Sequence, residues 1–587
     1  MASVAACRSP REPPQEPSAP SGPDAAPGVY DPAAPKDTLV IASLTDVNSL
    51  LPVVQQAATD AAITENLMLS SRRSEVDCRL TFHPEMITGW SWNADQTVLT
   101  QKLTPGLTWS DGKPVTVEDF RFAYDLLADP KVASPRGSLV AHMVEGKRPE
   151  KIDEHTMAFH FTHAYDETTM LAHTSWWPLP RHVLEKADRA TLRGHPFGRS
   201  PVVLGPWKVS ALEPGSKVVL EPNPAYSGPP ELRARLAKVV FKILPEYGTR
   251  LVELENGSVD VVENVLVPDA ARLARERPDI NLHRRGWRSM DYVGWNQLDP
   301  RDYVARKAQA KSGQELEWAK VKPHRLFADK AVRRALTQAI DVPRLIEVLL
   351  TAPGAGGRPA EVYGRPAIST ISPSLCDAHA NRVAPLGHDA EAAKRALDAA
   401  GWKDTDGDGV RDRDGVRFEF SLLTNAGNAR RAKAVVLVQA MLAVVGVKAN
   451  IEQLETATFF DRLRKKDYDA HLSGWSGGLF VDMSTLWHSG EKFPFNFTGY
   501  RNPQVDRLIE EALAAPSPAV NLPLWKEVQA RIYEDQPYTF LYWMDSIVAV
   551  AGRFQGVEVD MLSPYRHLRS WWVPPDQIKY RGPNTRP

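Results

Sequence analysis

The chain has 587 residues, enough to bury more than one core, so two or three domains are expected. Lys and Arg number 71 against 72 Asp and Glu, a net charge of −1, which leaves no cationic excess to offset phosphates and argues against a bulk nucleic-acid binder. No apolar run approaches the roughly 20 residues that a helix needs to span a bilayer.

At the start, Val4-Ala5-Ala6-Cys7 has the small residues and cysteine of a lipid-attachment signal, but the apolar stretch that should precede them is missing. Either the sequence begins late relative to a full signal or the match is accidental. Residues 8–36 are dense in Pro, Ala, Ser and Glu, a composition that cannot form a core and is expected to act as an extended tether. Asp37 to Ala42 reads as a first buried strand, and further strands are expected at Val98–Leu103, Thr156–Phe161, Ser216–Glu221 and Lys238–Leu244. Leu103 to Trp109 alternates as a half-buried strand, Asp111-Gly112 turns the chain, and Thr116 with Asp119 can cap a helix through Phe120, Phe122, Ala123 and Leu126. Arg284-Arg285 and Arg464-Lys465-Lys466 read as solvated helix or loop faces.

Later helices are marked by their ends. Asp329 can cap Lys330 to Ala339, Asp341 with Pro343 starts the next helix, and Asp389 opens one that stops at Gly401. Asn428 to Val444 is amphipathic and closes at Gly446, after which Val447 to Leu454 alternates as a strand. Such units favour an α/β chain whose sheet is covered by helices.

Trp109-Ser110-Asp111-Gly112-Lys113-Pro114-Val115-Thr116-Val117-Glu118-Asp119 resembles the WSDG-x-P-(V/F)-T-x-x-D segment of family 5 extracellular solute-binding proteins, the receptors of oligopeptide, dipeptide and nickel ABC importers. Leu204 to Trp207, Asn223 to Tyr226, Leu254 to Asp260, Leu326 to Asp341 and Asn496 to Glu511 resemble further family stretches in the family's order. The resemblance implies a large, cluster C type, two-lobed periplasmic-binding-protein-like α/β fold with an extra domain on lobe one. It divides the chain into a lipobox-like remnant (1–7), the tether (8–36), lobe one (37–57, 201–282 and 546–587), the extra domain (58–200) and lobe two (283–545). Cys78 and Cys376 then fall in different domains; a bridge between them would oppose hinge motion, so both are expected free and buried.

By the same resemblance, ligand recognition draws on Asp467 to Asp482. Trp475 matches the family's Gly-Trp pair and is expected at the cleft. Peptide-binding relatives carry an Asp three residues after this tryptophan to pair with a terminal ammonium; here that position is Gly478, and only Asp482 could substitute. Leu472 stands where some relatives have an arginine. Tyr292, Asn296, Trp487 and His488 are further candidates for ligand contact, with packing as the alternative role for each.

Asp404, Asp406, Asp408 and Asp412 follow the spacing of a calcium loop, but Gly415 replaces the glutamate that would complete it, so the competing reading is an acidic hairpin turn. No cofactor is expected. Gly474-Trp475-Ser476-Gly477-Gly478 also fits the Gly-x-Ser-x-Gly of a serine hydrolase, with Asp545 and His567 downstream in the required order. That is the alternative to the main expectation, a non-enzymatic, lipid-anchored periplasmic or cell-surface receptor. Such a receptor would deliver a peptide or related small solute to ABC permease and ATPase subunits, touching the membrane only through its anchor.

Overall fold

The computed structural model describes residues 36–580, apart from 56, 312–313, 355–359, 477–480, 492 and 494. Cys7, the Pro-rich tether and Gly478 therefore lie outside the described residues.

The first strand, Thr38–Ser43, is buried along its whole length because both of its faces meet cores. Leu39 and Ile41 join a cluster with Trp207, Val218 and Val548, whereas Val40 and Ala42 turn to one containing Val240, Leu273 and Leu336. It belongs to an eleven-stranded mixed sheet. From one edge the strands are Lys448–Leu454, Glu419–Asn425, Ala470–Ser476, Ile280–Trp295, Tyr538–Ala551, Val261–Val262, Thr38–Ser43, Lys238–Ile243, Lys217–Pro222 and Trp207–Glu213, with Gly364–Pro366 added onto Tyr538–Ala551.

Two long antiparallel strands, Ile280–Trp295 and Tyr538–Ala551, run through both halves of this sheet. Their register shifts twice, in the middle between Arg285 and Ser289 and again between Asp291 and Tyr292, where Leu541 is the extra residue. Ile280 to Arg285 pair with Ala551 to Ser546, and pairing resumes at Ser289 with Met544, leaving Gly286 to Arg288 as a bulge opposite Asp545. Trp287 in the bulge has a φ of 43° and donates its N–H to Asp545 at 3.4 Å, while Arg284 pairs with the same carboxylate.

A separate core forms around Leu99, Trp109, Phe120, Met157, Phe159 and Trp176 and also takes in Leu51, Val53, Leu204 and Tyr226, with a four-stranded sheet ordered Ile87–Trp92, Val98–Leu103, Thr156–His160 and Glu150–Lys151. The Trp109 motif is held together by one side chain. Asp119 accepts the Thr116 N–H at 3.0 Å, the Trp109 indole N–H at 3.3 Å and the Arg181 N–H at 3.0 Å, so one carboxylate closes a helix and ties two loops to it. The expected strand at Leu103 to Trp109 is absent, because Pro105-Gly106 turns the chain directly after Leu103; only the alternating burial of Leu107 and Trp109 survives.

The expected caps form: Asp329, Asp341, Asp389 and Asn428 each accept a backbone N–H at the start of Lys330–Ala339, Val342–Leu350, Ala390–Ala399 and Ala429–Val444. Two expectations are corrected. Lys466 is not on a solvated face: it is buried, over the Trp318 ring at 4.5 Å, with its ammonium on the carbonyls of Asn496 and Phe497 at 2.6 and 3.2 Å. Cys78 and Cys376 are not free and neither is fully buried; they form a disulfide with Cα atoms 4.5 Å apart. The reason is the hairpin Arg72–Asp77/Arg79–Pro84, whose tip, carrying Cys78 at a φ of 56°, reaches across to the loop around Leu375.

Candidate functional site

Trp475 lies next to the end of Ala470–Ser476 and is half-buried. Three neighbouring strands and one loop stack four aromatic rings in a row here. Tyr538 and Tyr292 are 3.8 Å apart and 14° from parallel, Tyr292 and Trp475 6.2 Å and 9°, and Trp475 and Phe497 5.7 Å and 14°. Phe495, 44% exposed, stands edge-on to the indole. The loop under Trp475 is fixed from below, since Tyr468 Oη donates to the Phe497 carbonyl at 2.8 Å alongside Lys466.

A charged group adjoins this stack. Asp291, on the long strand opposite Gly474, has no exposed side-chain surface and accepts Nε of Arg430 and Nε of Arg431, each at 3.0 Å, and Tyr542 Oη at 3.2 Å. Burial alone would raise the Asp291 carboxyl, but the two guanidiniums outweigh it and hold the group below its ordinary range. Burial likewise opposes the Arg430 charge, and Asp291 outweighs it, so its pKa is raised. Two cations face one carboxylate, leaving one positive charge in excess beside a partly open aromatic surface. The arginines keep 22% and 17% of their side chains exposed.

The Gly-Trp pair follows from the same geometry. A Cβ on Gly474 would fall on Arg431 Nη2, Asp291 Oδ1 and the Met290 carbonyl, so only glycine lets the ion pair cross the strand beside Trp475. His471 lies beneath, fully buried, its ring over Gly294; burial, then the charges of Lys466 and Arg431, push its pKa down to about 3 and keep it neutral.

Of the other sequence candidates, Tyr292 belongs to the stack and Trp487 packs on its Tyr538 end at 4.6 Å, while the rest are dispersed. Tyr292 is inside the stack with no exposed surface. Asn296 is also fully buried and gives its amide to the carbonyls of Lys466 and Tyr468 at 3.2 and 2.8 Å, clamping a chain corner. Trp487 is buried with its indole N–H on Thr370 at 3.0 Å, and His488 pairs with Glu510 at 3.1 Å. Asp482 is exposed and accepts the Ser484 N–H at 2.8 Å, and its charge acts on His142 and His173. Asp404, Asp406 and Asp408 bring carboxylate oxygens within 4.8 Å of one another. Asp412 instead accepts Thr405 and starts the hairpin Asp412–Arg413/Val416–Arg417, and Asp408 pairs with Arg417 at 2.6 Å.

The downstream residues of the hydrolase alternative have other partners. Asp545 is bound to Arg284, and His567 faces Asp560 at 3.2 Å and Glu558 at 3.4 Å. What the sequence reading missed is Asp291 with Arg430 and Arg431. A signal existed: two arginines in the first turn of Ala429–Val444, with no acid there, oppose the helix dipole and call for a buried partner.

The fold and site together define a receptor that encloses a solute. The model of bacterial extracellular solute-binding proteins, family 5, matches residues 81–497, and the chain belongs to this family. It is 28% identical over 476 residues to the oligopeptide-binding protein AppA of Bacillus subtilis, covering 80% of each chain. It is 23% identical over 539 residues to the probable D,D-dipeptide-binding periplasmic protein DdpA of Escherichia coli, covering 89% and 92%. The structure of Bacillus subtilis AppA in complex with a nonapeptide superposes with a TM-score of 0.71 at 25% identity, over 92% of this chain and 100% of that one. NikZ from Campylobacter jejuni in complex with Ni(L-His) gives 0.73 at 18% identity, over 92% and 100%. The α/β fold is the two-lobed fold of these binding proteins, and the chain is a substrate-binding receptor of an ABC importer. Among the described residues no helix is long and apolar enough to cross a membrane.

Proposed function

We propose that this receptor captures a peptide or peptide-like solute carrying a carboxylate and delivers it to ABC permease and ATPase subunits, anchored by a lipid on Cys7. The observation that carries the ligand chemistry is the excess positive charge of Arg430 and Arg431 over Asp291, set beside the half-buried Trp475. An apolar side chain packs on the indole, and a carboxylate meets the guanidinium edges that Asp291 does not occupy. The lobes in this reading are residues 37–57, 201–282 and 546–587 against 283–545, with residues 58–200 resting on the first. The bulge at Gly286 to Arg288 opposite Asp545 supports a hinge there, since the ladder is already interrupted. Ligand contacts both lobes only when they meet, and so shifts the protein toward the closed form.

Calorimetric titration with one neutral hexapeptide as free acid, C-terminal amide and N-acetyl free acid tests this. The free acid and its N-acetyl form are expected to bind alike, because Gly478 replaces the ammonium-pairing carboxylate, and the amide to bind more weakly. Equal binding of acid and amide, or binding to none of the three, would overturn the proposal.

A further inference from the structure

We propose that the Cys78–Cys376 disulfide is a redox-modification site: a tether between the two halves that an extracytoplasmic dithiol of the thioredoxin class opens, widening the cleft. The inference rests on the reading of the chain as a hinged receptor.

The hairpin that carries Cys78 is rooted on the first half. Arg72 at its base is buried, with Nη1 on Gln101 at 2.6 Å and Nη2 on the Leu171 carbonyl at 3.1 Å. Ser74 accepts from Arg566 at 3.2 Å, and Glu85 pairs with Arg569 at 3.2 Å, both partners belonging to the C-terminal segment. The 58–200 region is itself fastened to this half by the Leu204 and Gly205 N–H groups on the Leu67 carbonyl, at 3.1 and 2.7 Å. Cys376 is rooted on the other half. Its loop packs Ile371 and Leu375 into the cluster of Tyr292, Trp525 and Trp543, and Ser372 donates to the Trp287 carbonyl at 2.7 Å.

The main chain joins these halves through the long strands Ile280–Trp295 and Tyr538–Ala551. The disulfide adds a third connection, between residues 298 apart in sequence, backed by one hydrogen bond from Asp377 N–H to the Cys78 carbonyl at 3.2 Å. The joint around it is not filled. A cavity of about 100 Å³ lies between Leu80, Asp166 and Thr169 on one side and Leu375, Asp482 and Trp525 on the other. Besides the disulfide, the hairpin meets the other half through Val76, which packs against the cluster of Tyr292, Trp525 and Trp543 beside this partly empty joint. Both cysteines are partly exposed, as attack by an outside thiolate requires.

The reaction is thiol–disulfide exchange. A thiolate of the reductant attacks one sulfur; the Cys78–Cys376 bond breaks as a mixed disulfide forms. The reductant's second thiol then attacks that mixed disulfide. Two electrons and two protons pass to Cys78 and Cys376, which leave as thiols, and the reductant leaves as its own disulfide.

The test uses ligand-free full-length protein, oxidised, reduced with dithiothreitol and alkylated, and as the Cys78→Ser/Cys376→Ser variant, with circular dichroism confirming that each is folded. Peptide mapping by mass spectrometry is expected to find the two cysteines linked in the oxidised form. Small-angle scattering is expected to give a larger radius of gyration for the reduced protein and the variant than for the oxidised protein. Free thiols at both positions in the oxidised protein, or superimposable scattering curves, would overturn the proposal. If the variant does not fold, the reduced wild type decides. The same neutral hexapeptide separates the two ideas: opening on reduction without peptide binding in any form would leave the tether standing and sink the ligand reading.

Discussion

The Asp291 carboxylate, fully enclosed between strands, takes the Nε of Arg430 at 3.0 Å although 139 residues separate the two in sequence. With Arg431 on its other oxygen, Asp291 neutralises one of two guanidiniums and leaves a positive charge in excess, which the proposed function gives to a ligand carboxylate. Arg430→Ala is therefore expected to remove most of the preference for a free-acid peptide over its amide, a loss of about 1.5–3 kcal/mol for a charge-assisted hydrogen bond. Calorimetry of both peptides against both proteins checks it. A variant that kept the preference would move the carboxylate site elsewhere.

The same pair fixes an acid limit on stability. Asp291 has a folded pKa below its ordinary value, so its stabilisation is complete above about pH 4 and is lost as pH falls through the lowered folded value. Asp291→Asn leaves two partly buried guanidiniums short of a counter-charge and is expected to cost about 3 kcal/mol. Urea denaturation at pH 7 measures the loss, and unchanged stability would mean that water already screens the arginines.

Trp475 shares its surface between core and cleft, packing on Tyr292 and Phe497 while staying half-buried. Trp475→Ala should cost about 2 kcal/mol of ligand-free stability, below the full core value for a tryptophan. Hexapeptide affinity should fall about tenfold or more, as expected of an aromatic anchor. A full core-sized loss of stability with unchanged affinity would make the residue a core tryptophan.

Local features of this fold were legible in the sequence because neighbours in the chain cause them. Asp329, Asp341, Asp389 and Asn428 cap the helices that begin beside them, and Asp119 closes a helix three residues from Thr116. Illegible features depend on distant partners. Lys466 sits in a basic run that looks solvated, yet Trp318 and Tyr303, far earlier in the chain, cover it. Cys78 and Cys376 looked separated because a domain boundary says nothing of a hairpin tip that crosses it. The Gly474-Trp475 match pointed to the strand that runs beside Asp291, while Asp291 gave no sign of its ion pairs until Arg430 and Arg431 stood against it.

Lys466 sets a second pH dependence, of definite sign. Burial lowers its pKa to about 7, so between about pH 7 and the unfolded value near 10.4 the unfolded chain binds more protons than the folded one, and stability rises with pH. Lys466→Met should flatten the rise in urea midpoint between pH 7 and 9.5, although it also strips the Asn496 and Phe497 carbonyls of a donor and lowers stability overall. An equal slope in both proteins would show that Lys466 stays charged in the fold.

Two glycines of opposite setting test whether the site is built as closely as its geometry requires. At Gly474 an added methyl meets Arg431, Asp291 and the Met290 carbonyl together, and the carbonyl belongs to a paired strand that cannot step aside. At Gly248, in the helix Tyr247–Glu255, nothing lies within 4 Å of the same methyl. Gly248→Ala should therefore stabilise by about 0.4–1 kcal/mol through lost freedom of the unfolded chain and better helix propensity. Gly474→Ala should destabilise by about 1–3 kcal/mol, the range for overpacking, and should lower affinity for the free-acid hexapeptide by displacing Arg431. Denaturation midpoints of the two variants, with calorimetry on the second, read both effects. A Gly474→Ala protein as stable as Gly248→Ala and with wild-type affinity would show that the Asp291–Arg431 pair does not cross the strand where the structure puts it.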